Sequence, residues 1–317
     1  MPTIRAIDLF CGAGGSSWGA RLGGAQIVAG FDASLEAGAA FQSNFPNAKF
    51  FHGRLESLDP YKLKKSLGEI DLIIASPECT NHSLAKGSAR KSESSRATAL
   101  QVARFAEVLA PRWIAIENVG RMRRWSKYAS FVSRLKCLGY NISEQLLNAA
   151  DFGVPQRRRR LFLLCDLEKE PKRVSAATTA HRHASAIIDM NGTYALSPLR
   201  KKKRAKATLQ RARKAIAAVG YKKPFLLVYY GSDRAGGWQR VTATLRTITT
   251  LDRFALVKPS KGGHVMRMLQ VPELKAAMGM PQAFSLGDGS RRQQIHMIGN
   301  AVCPPVMRAV VRTLIKT

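Results

Sequence analysis

The first 165 residues alternate short apolar runs with segments of helical length. Residues 4–10 are apolar apart from Arg5 and Asp8, and residues 27–31, 71–75 and 113–116 form three further runs. Near-continuous apolar runs of this kind predict strands buried on both faces of a parallel sheet, because a strand with one wet face would alternate instead. Between the last two runs, Leu100, Phe105, Val108 and Leu109 recur at roughly helical spacing. Residues 146–147 and 161–165 read as closing strands. The pattern is that of an α/β fold with a doubly wound, mostly parallel sheet.

After residue 166 the texture changes. The chain becomes basic and broken up to residue 245, and it includes the run Arg200, Lys201, Lys202, Lys203 and Arg204. Only residues 224–230 read clearly as a strand there. Order resumes over residues 246–257, followed by a helix over 271–280 and an apolar helix over 302–315. No internal repeat is present. The order predicts a discontinuous sheet domain, residues 1–165 plus 286–317, and a smaller basic domain, residues 166–285, inserted into it.

Composition narrows the function classes. With 317 residues and 45% hydrophobic content the chain can bury a substantial core, which excludes a disordered or collagen-like protein. Its 51 Lys and Arg against 21 Asp and Glu leave a net charge of +30, and a polyanion such as nucleic acid is the natural counterweight. A solubilising charge excess is the alternative. No apolar window is long enough for a membrane-spanning helix, and the N-terminus shows no secretory h-region. The five scattered cysteines form neither a disulfide framework nor a zinc pattern, so no metal is expected. The expectation is a soluble, reduced, cytoplasmic protein.

Three places carry candidate chemistry. The stretch from Asp8 through Cys11, Gly12 and Gly14 to Gly15 ends a strand and opens a helix, so its glycines let backbone approach a ligand. Asp32 ends the next strand 24 residues after Asp8, placed to accept hydrogen bonds from a ribose. The spacing favours an adenosine-containing cofactor, with a tight strand–helix turn as the bland alternative. Second, Cys79 follows the strand at 71–75, at the sheet edge where such folds place chemistry. A thiol there is either a nucleophile helped towards thiolate or inert packing. The Ser-, Lys- and Arg-rich residues 84–96 suit a loop that closes over a substrate. Third, Glu117 ends the strand at 113–116, as an acid or as a cap. Residues 157–160 are four arginines entering a strand, so Arg158 and Arg160 should share one face and Arg157 and Arg159 the other.

Taken in order, the Asp8–Gly15 loop, the cysteine loop, Glu117-Asn118-Val119, Gln156-x-Arg158-x-Arg160 and Gly299-Asn300-Ala301-Val302 resemble the DNA (cytosine-5) methyltransferases over nearly the whole chain. The resemblance implies an S-adenosylmethionine-dependent, Rossmann-like fold with an inserted target-recognition domain. It implies transfer of a methyl group to C5 of a flipped-out cytosine in double-stranded DNA. Cys79 would add to C6, Glu117 would protonate N3, Arg160 would hold O2, and Arg158 would fix the loop or a phosphate. Phe10, Gly12, Gly14, Asp32 and Asn300 would form the cofactor site. Nucleic-acid contacts would come from Ser83, Lys86, Gln156, Arg253 and the run from Arg200 to Arg204, acting as a monomer.

Two departures stand out. Pro77-Glu78 precedes Cys79 where the family usually has Pro-Pro. Arg54 occupies a place where relatives commonly carry an Asp that meets the adenine amino group, and a guanidinium cannot accept that bond. Either backbone holds the adenine, or Arg54 turns outward, or the pocket takes a cofactor analogue with extra negative charge. A catalytically silent DNA-binding relative and the same chemistry on RNA are the competing functions.

Overall fold

The computed structural model describes residues 3–78, 93–177, 180–230 and 236–316, with the backbone alone for 93–97. A seven-stranded sheet is built from β1 (Ile4–Leu9), β2 (Ala25–Asp32), β3 (Lys49–His52), β4 (Leu72–Ala75), β5 (Trp113–Asn118), β6 (Asn141–Asn148) and β7 (Arg159–Asp166). Their order is β3-β2-β1-β4-β5-β7-β6. The pairs from β3 through β5 are parallel, and β7 runs antiparallel to both β5 and β6.

The apolar runs explain the layering. Side chains alternate across a strand, so Ile7, Leu9, Ile73, Ile114 and Ile116 pack on one face with Val102 and Phe105 of α4 (Glu93–Leu109) and Phe131 and Leu135 of α5 (Tyr128–Cys137). Ala6, Leu72, Ile74, Phe162 and Leu164 turn to the other face. There they meet α1 (Gly15–Gly23) and α9 (Pro304–Ile315), whose Val306, Met307, Val310 and Leu314 are buried. The last helix thus returns to the first sheet, held close by glycine: a Cβ at Gly19 would stand 2.5 Å from the Pro304 carbonyl oxygen.

A second, antiparallel sheet has the order β10-β9-β11-β12-β8, from β8 (Ser197–Pro198), β9 (Phe225–Val228), β10 (Trp238–Arg240), β11 (Phe254–Ser260) and β12 (Gly263–Met268). A helix, α6 (Lys206–Val219), packs against it. α7 (Val271–Ala277) and α8 (Arg291–Asn300) link this sheet to α9.

Several elements differ from expectation. β3 is only four residues and partly exposed, and β6 is a partly exposed edge strand, of which sequence showed only Leu146 and Leu147. α6 lies in the stretch that reads as broken, because its buried positions are Thr208, Ala212, Ala215 and Val219, too small to make an apolar stripe. Within residues 246–257, where order resumes, β11 starts only at Phe254.

Candidate active site

The turn after β1 is the most distorted backbone near the site. Phe10 is held at φ 65°, in the left-handed region that a side chain rarely adopts, followed by Gly12 at φ 53° and Gly14 at φ 92°. No atom lies within 4 Å of where a Cβ on Gly12 would stand, whereas a Cβ on Gly14 would strike the Phe45 ring at 2.6 Å. Gly12 is therefore open to a ligand, and Gly14 is needed for packing at the start of α1. Asp32 locks the turn: its carboxylate accepts from the Gly12 N–H and the Ser34 N–H, each at 2.9 Å.

Beneath the turn lies Asp8, fully buried in the middle of the sheet. Ser16 and Ser17 hydroxyls both donate to its Oδ2 at 2.5 Å, while Oδ1 has no hydrogen-bond partner. Burial pushes its pKa up to about 7, with the nearby Asp32 charge adding to the rise against the two hydroxyls.

One cavity of about 420 Å³ joins these parts. Phe10, Gly12 and Asp32 line one side, Ser76, Pro77, Glu78 and Glu117 another, and His296, Met297 and Asn300 a third. Four of the five cofactor-site residues expected from sequence thus meet in one place, with Gly14 behind the wall. Arg54 lies at the rim with its side chain 59% exposed, paired to Glu56 at 3.6 Å. Its guanidinium turns outward, the second of the three arrangements open from sequence.

Glu117 is 5% exposed, and Arg160 pairs with it, Nε to Oε1, at 3.1 Å. Burial raises the Glu117 pKa, opposed by the Arg160 and Arg158 charges. The strand alternation places them as expected: Arg157 and Arg159 are exposed, while Arg158 and Arg160 face inward. Arg158 is 2% exposed and donates to the carbonyls of Ile248, Gly299 and Ala301 at 3.1, 2.8 and 2.9 Å. It therefore fixes loops rather than a phosphate, and it is a positioning residue.

Gln156 requires a correction. Expected at the nucleic-acid surface, it is fully buried, donating to the Ala277 carbonyl at 3.0 Å and accepting from the Ile248 N–H at 2.8 Å. No face of its amide is left for a base edge. Arg204 is also drawn inward, donating to the Ser197 hydroxyl and the Pro198 carbonyl at 3.0 and 3.1 Å, so it braces its own loop. Arg253 is half-buried and donates to the Tyr229 carbonyl at 2.9 Å. Arg200, Lys201, Lys202 and Lys203 are exposed. Cys79, Ser83 and Lys86 lie outside the described residues, as does most of the loop expected at 84–96.

One residue of the site, present in the Glu117-Asn118-Val119 motif, was given no role from sequence. Asn118 donates to the Pro77 carbonyl at 3.0 Å and accepts from the Val119 N–H at 2.8 Å, tying the end of β5 to the chain that leads into Cys79. Its position beside Glu117 was the available signal. Among the described residues no group of His, Cys, Asp and Glu could hold a metal, and no helix is long and apolar enough to cross a membrane.

The sheet order, the glycine turn with its acid, and the shared cavity define a protein of the methyltransferase type of α/β fold. The family described as C-5 cytosine-specific DNA methylase is matched over residues 4–316, and the chain belongs to it. It is 31% identical over 167 residues to the type II methyltransferase M.DdeI of Desulfomicrobium norvegicum, covering 51% of this chain and 40% of that one. The type II methyltransferase M1.HphI of Haemophilus parahaemolyticus is 26% identical over 332 residues, covering 99% and 87%. The chain thus spans less than half of M.DdeI and most of M1.HphI. The Entamoeba histolytica methyltransferase EhMeth superposes with a TM-score of 0.73 at 16% identity, covering 100% of this chain and 99% of that one, a likeness of fold.

Proposed function

We propose that this protein transfers a methyl group from S-adenosylmethionine to C5 of a flipped-out cytosine in double-stranded DNA. The observation that carries the reading is the buried Glu117, paired with Arg160, lining the same cavity as the glycine turn and Asp32. The cavity falls within the range of about 300–1,000 Å³ of small-ligand sites. Its donor set suits an adenosyl group: open backbone at Gly12, a carboxylate at Asp32 and an apolar wall at Phe10 and Leu55. S-adenosylmethionine, when bound, supplies an electrophilic methyl group. Asp32 would hold its ribose, and Asn300 would border its methionine end.

The chain's own residues activate the acceptor. Cytosine C5 is too electron-poor to take a methyl group unaided, so the Cys79 thiolate adds to C6 and the new S–C bond turns C5 into an enamine carbon. Glu117, kept protonated more readily by its burial, places a proton at N3 so that charge does not build up on the ring. Arg160 holds both the Glu117 carboxylate and the base O2. Loss of the C5 proton and cleavage of the S–C bond then release Cys79. None of this is reachable in a stacked base, so the nucleotide must leave the duplex.

Residues 1–165 and 286–317 would form the catalytic domain and residues 166–285 the target-recognition domain. The outward Arg54, paired with Glu56, supports an ordinary cofactor over a charged analogue. The test is nucleoside mass spectrometry after incubating the protein with S-adenosylmethionine and either duplex DNA or folded RNA. The expected product is 5-methyldeoxycytidine, absent with Cys79→Ala. Methylcytidine in the RNA alone, or no product with a folded protein, overturns the reading.

A further inference from the structure

The outer layer of the small sheet carries charge for which the proposed reaction has no use. Between Asp189 and Asp233 the chain holds eleven Lys and Arg and no acid. α6 lies in this stretch and packs through Ala212, Ala215 and Val219 onto Phe225, Leu227, Ala255 and Val257 of β9 and β11. The opposite faces of those strands, with Leu226, Val228, Phe254 and Leu256, join the core shared with the large sheet. α6 is therefore the far layer, and its free face points away from the cofactor cavity.

On that free face Lys206, Arg213 and Lys214 are exposed, with Lys201, Lys202 and Lys203 before the helix and Lys222 after it. None of them takes part in an ion pair among the described residues. Arg200 and Lys223 nearby are exposed as well, whereas Arg204 is engaged by its own loop and Arg211 lies over the Tyr229 ring at 5.5 Å. Like charges held this close repel one another, and an external polyanion relieves that repulsion. The other exposed positions of α6 are Ala207, Gln210, Ala217 and Ala218, so the helix has no large exposed apolar side chain to enter a bilayer. One exposed aromatic, Tyr221, stands beside Lys222 with its ring edge-on to His264 at 4.5 Å, so there is no row of aromatic platforms to hold successive unstacked bases.

We propose that the outer face of α6, with the lysines that flank it, is a second DNA-binding surface that grips the phosphate backbone of duplex lying outside the target site, without reading sequence. The proposal rests on the reading of this protein as a DNA enzyme. A 14-residue helix is about 21 Å long, enough for its cations and the flanking lysines to meet several successive phosphates. Such a surface keeps the protein on the polymer between target cytosines.

The test uses the full chain and a duplex of A·T pairs only, which contains no cytosine to flip, with affinity measured by fluorescence anisotropy across a salt series. Each phosphate contact contributes a slope of about 0.9 in log affinity against log salt, so K206Q/R213Q/K214Q/K222Q should be shallower by about 3–4. Wild type should then lose about a hundredfold more affinity than the variant across a fourfold rise in salt. The charge-preserving K206R/K214R/K222R should keep the wild-type slope, and unchanged S-adenosylmethionine affinity in both variants verifies the fold. Equal slopes for wild type and the glutamine variant overturn the surface. So does a loss confined to folded RNA. Methylation of a cytosine-containing duplex by wild type is followed alongside, so equal slopes with methylation intact sink this surface alone. A shallower slope without any methylation supports the surface and sinks the proposed reaction.

Discussion

Asp8→Asn is the perturbation whose size follows most directly from the structure. The wild-type carboxyl titrates at about 7 in the folded protein against 3.8 when solvated, because burial disfavours its charge more than the Ser16 and Ser17 hydroxyls compensate. Below about pH 4 both folded and unfolded chains carry the proton, and the group's contribution to stability is fully present. Between there and about pH 7 only the folded chain keeps it, so stability falls as pH rises, at about 1.4 kcal/mol per unit. From about pH 5 to about pH 8 that amounts to about 3 kcal/mol, levelling off above the folded pKa. An amide cannot titrate. Asn still offers a carbonyl to the two hydroxyls but puts an N–H₂ where Oδ1 had no partner, which costs about 1–3 kcal/mol at every pH. The level of stability is thus shifted by an offset, and the slope carries the information. Urea unfolding of both proteins across this range should show Asp8→Asn gaining on wild type by about 3 kcal/mol as pH rises. A difference that stays flat with pH would refute the buried, protonated Asp8.

Other substitutions separate positioning from chemistry. Gly19→Ala should lower stability by about 1–3 kcal/mol in urea unfolding, since its Cβ would meet the Pro304 carbonyl at 2.5 Å and the Met307 Cβ at 2.7 Å. Arg158→Met strips three buried carbonyls of their donor and should cost about 3 kcal/mol or more, with a clear drop in thermal midpoint. Glu117→Gln removes the proposed proton donor at N3 and should slow methyl transfer by about 10²–10⁴-fold in single-turnover assays, while S-adenosylmethionine affinity holds.

The sheet was legible in sequence where strands are covered on both faces. β1, β2, β4, β5 and β7 each show as an apolar run because their central positions are covered on both faces, with only Gln26 of β2 and Arg159 of β7 exposed near their starts. β3 and β6 at the two sheet edges lack that signature, and α6 hides because small residues form its buried side. Within the site, Gly12, Asp32 and Glu117 were legible from residue type and position at strand ends, Phe10 and Asn300 only through the family resemblance, and all five line one cavity. The role of Gln156 was not legible, and that of Arg158 was left open between a loop and a phosphate. A polar side chain in a motif reads the same whether it meets a ligand or a buried carbonyl. Only the fold brings Ile248, Ala277 and Gly299 within reach of them.

Covalent trapping tests the central claim most directly. In a duplex carrying 5-fluorocytosine at the target position, C5 has no proton to lose after methyl transfer, so the Cys79–C6 bond cannot be released. Wild type with S-adenosylmethionine should form a protein–DNA adduct that survives denaturing electrophoresis, with Cys79 as the modified residue by peptide mass spectrometry. Cys79→Ala should form none. Methylation of ordinary duplex DNA by Cys79→Ala, or trapping through another residue, would contradict the proposed chemistry.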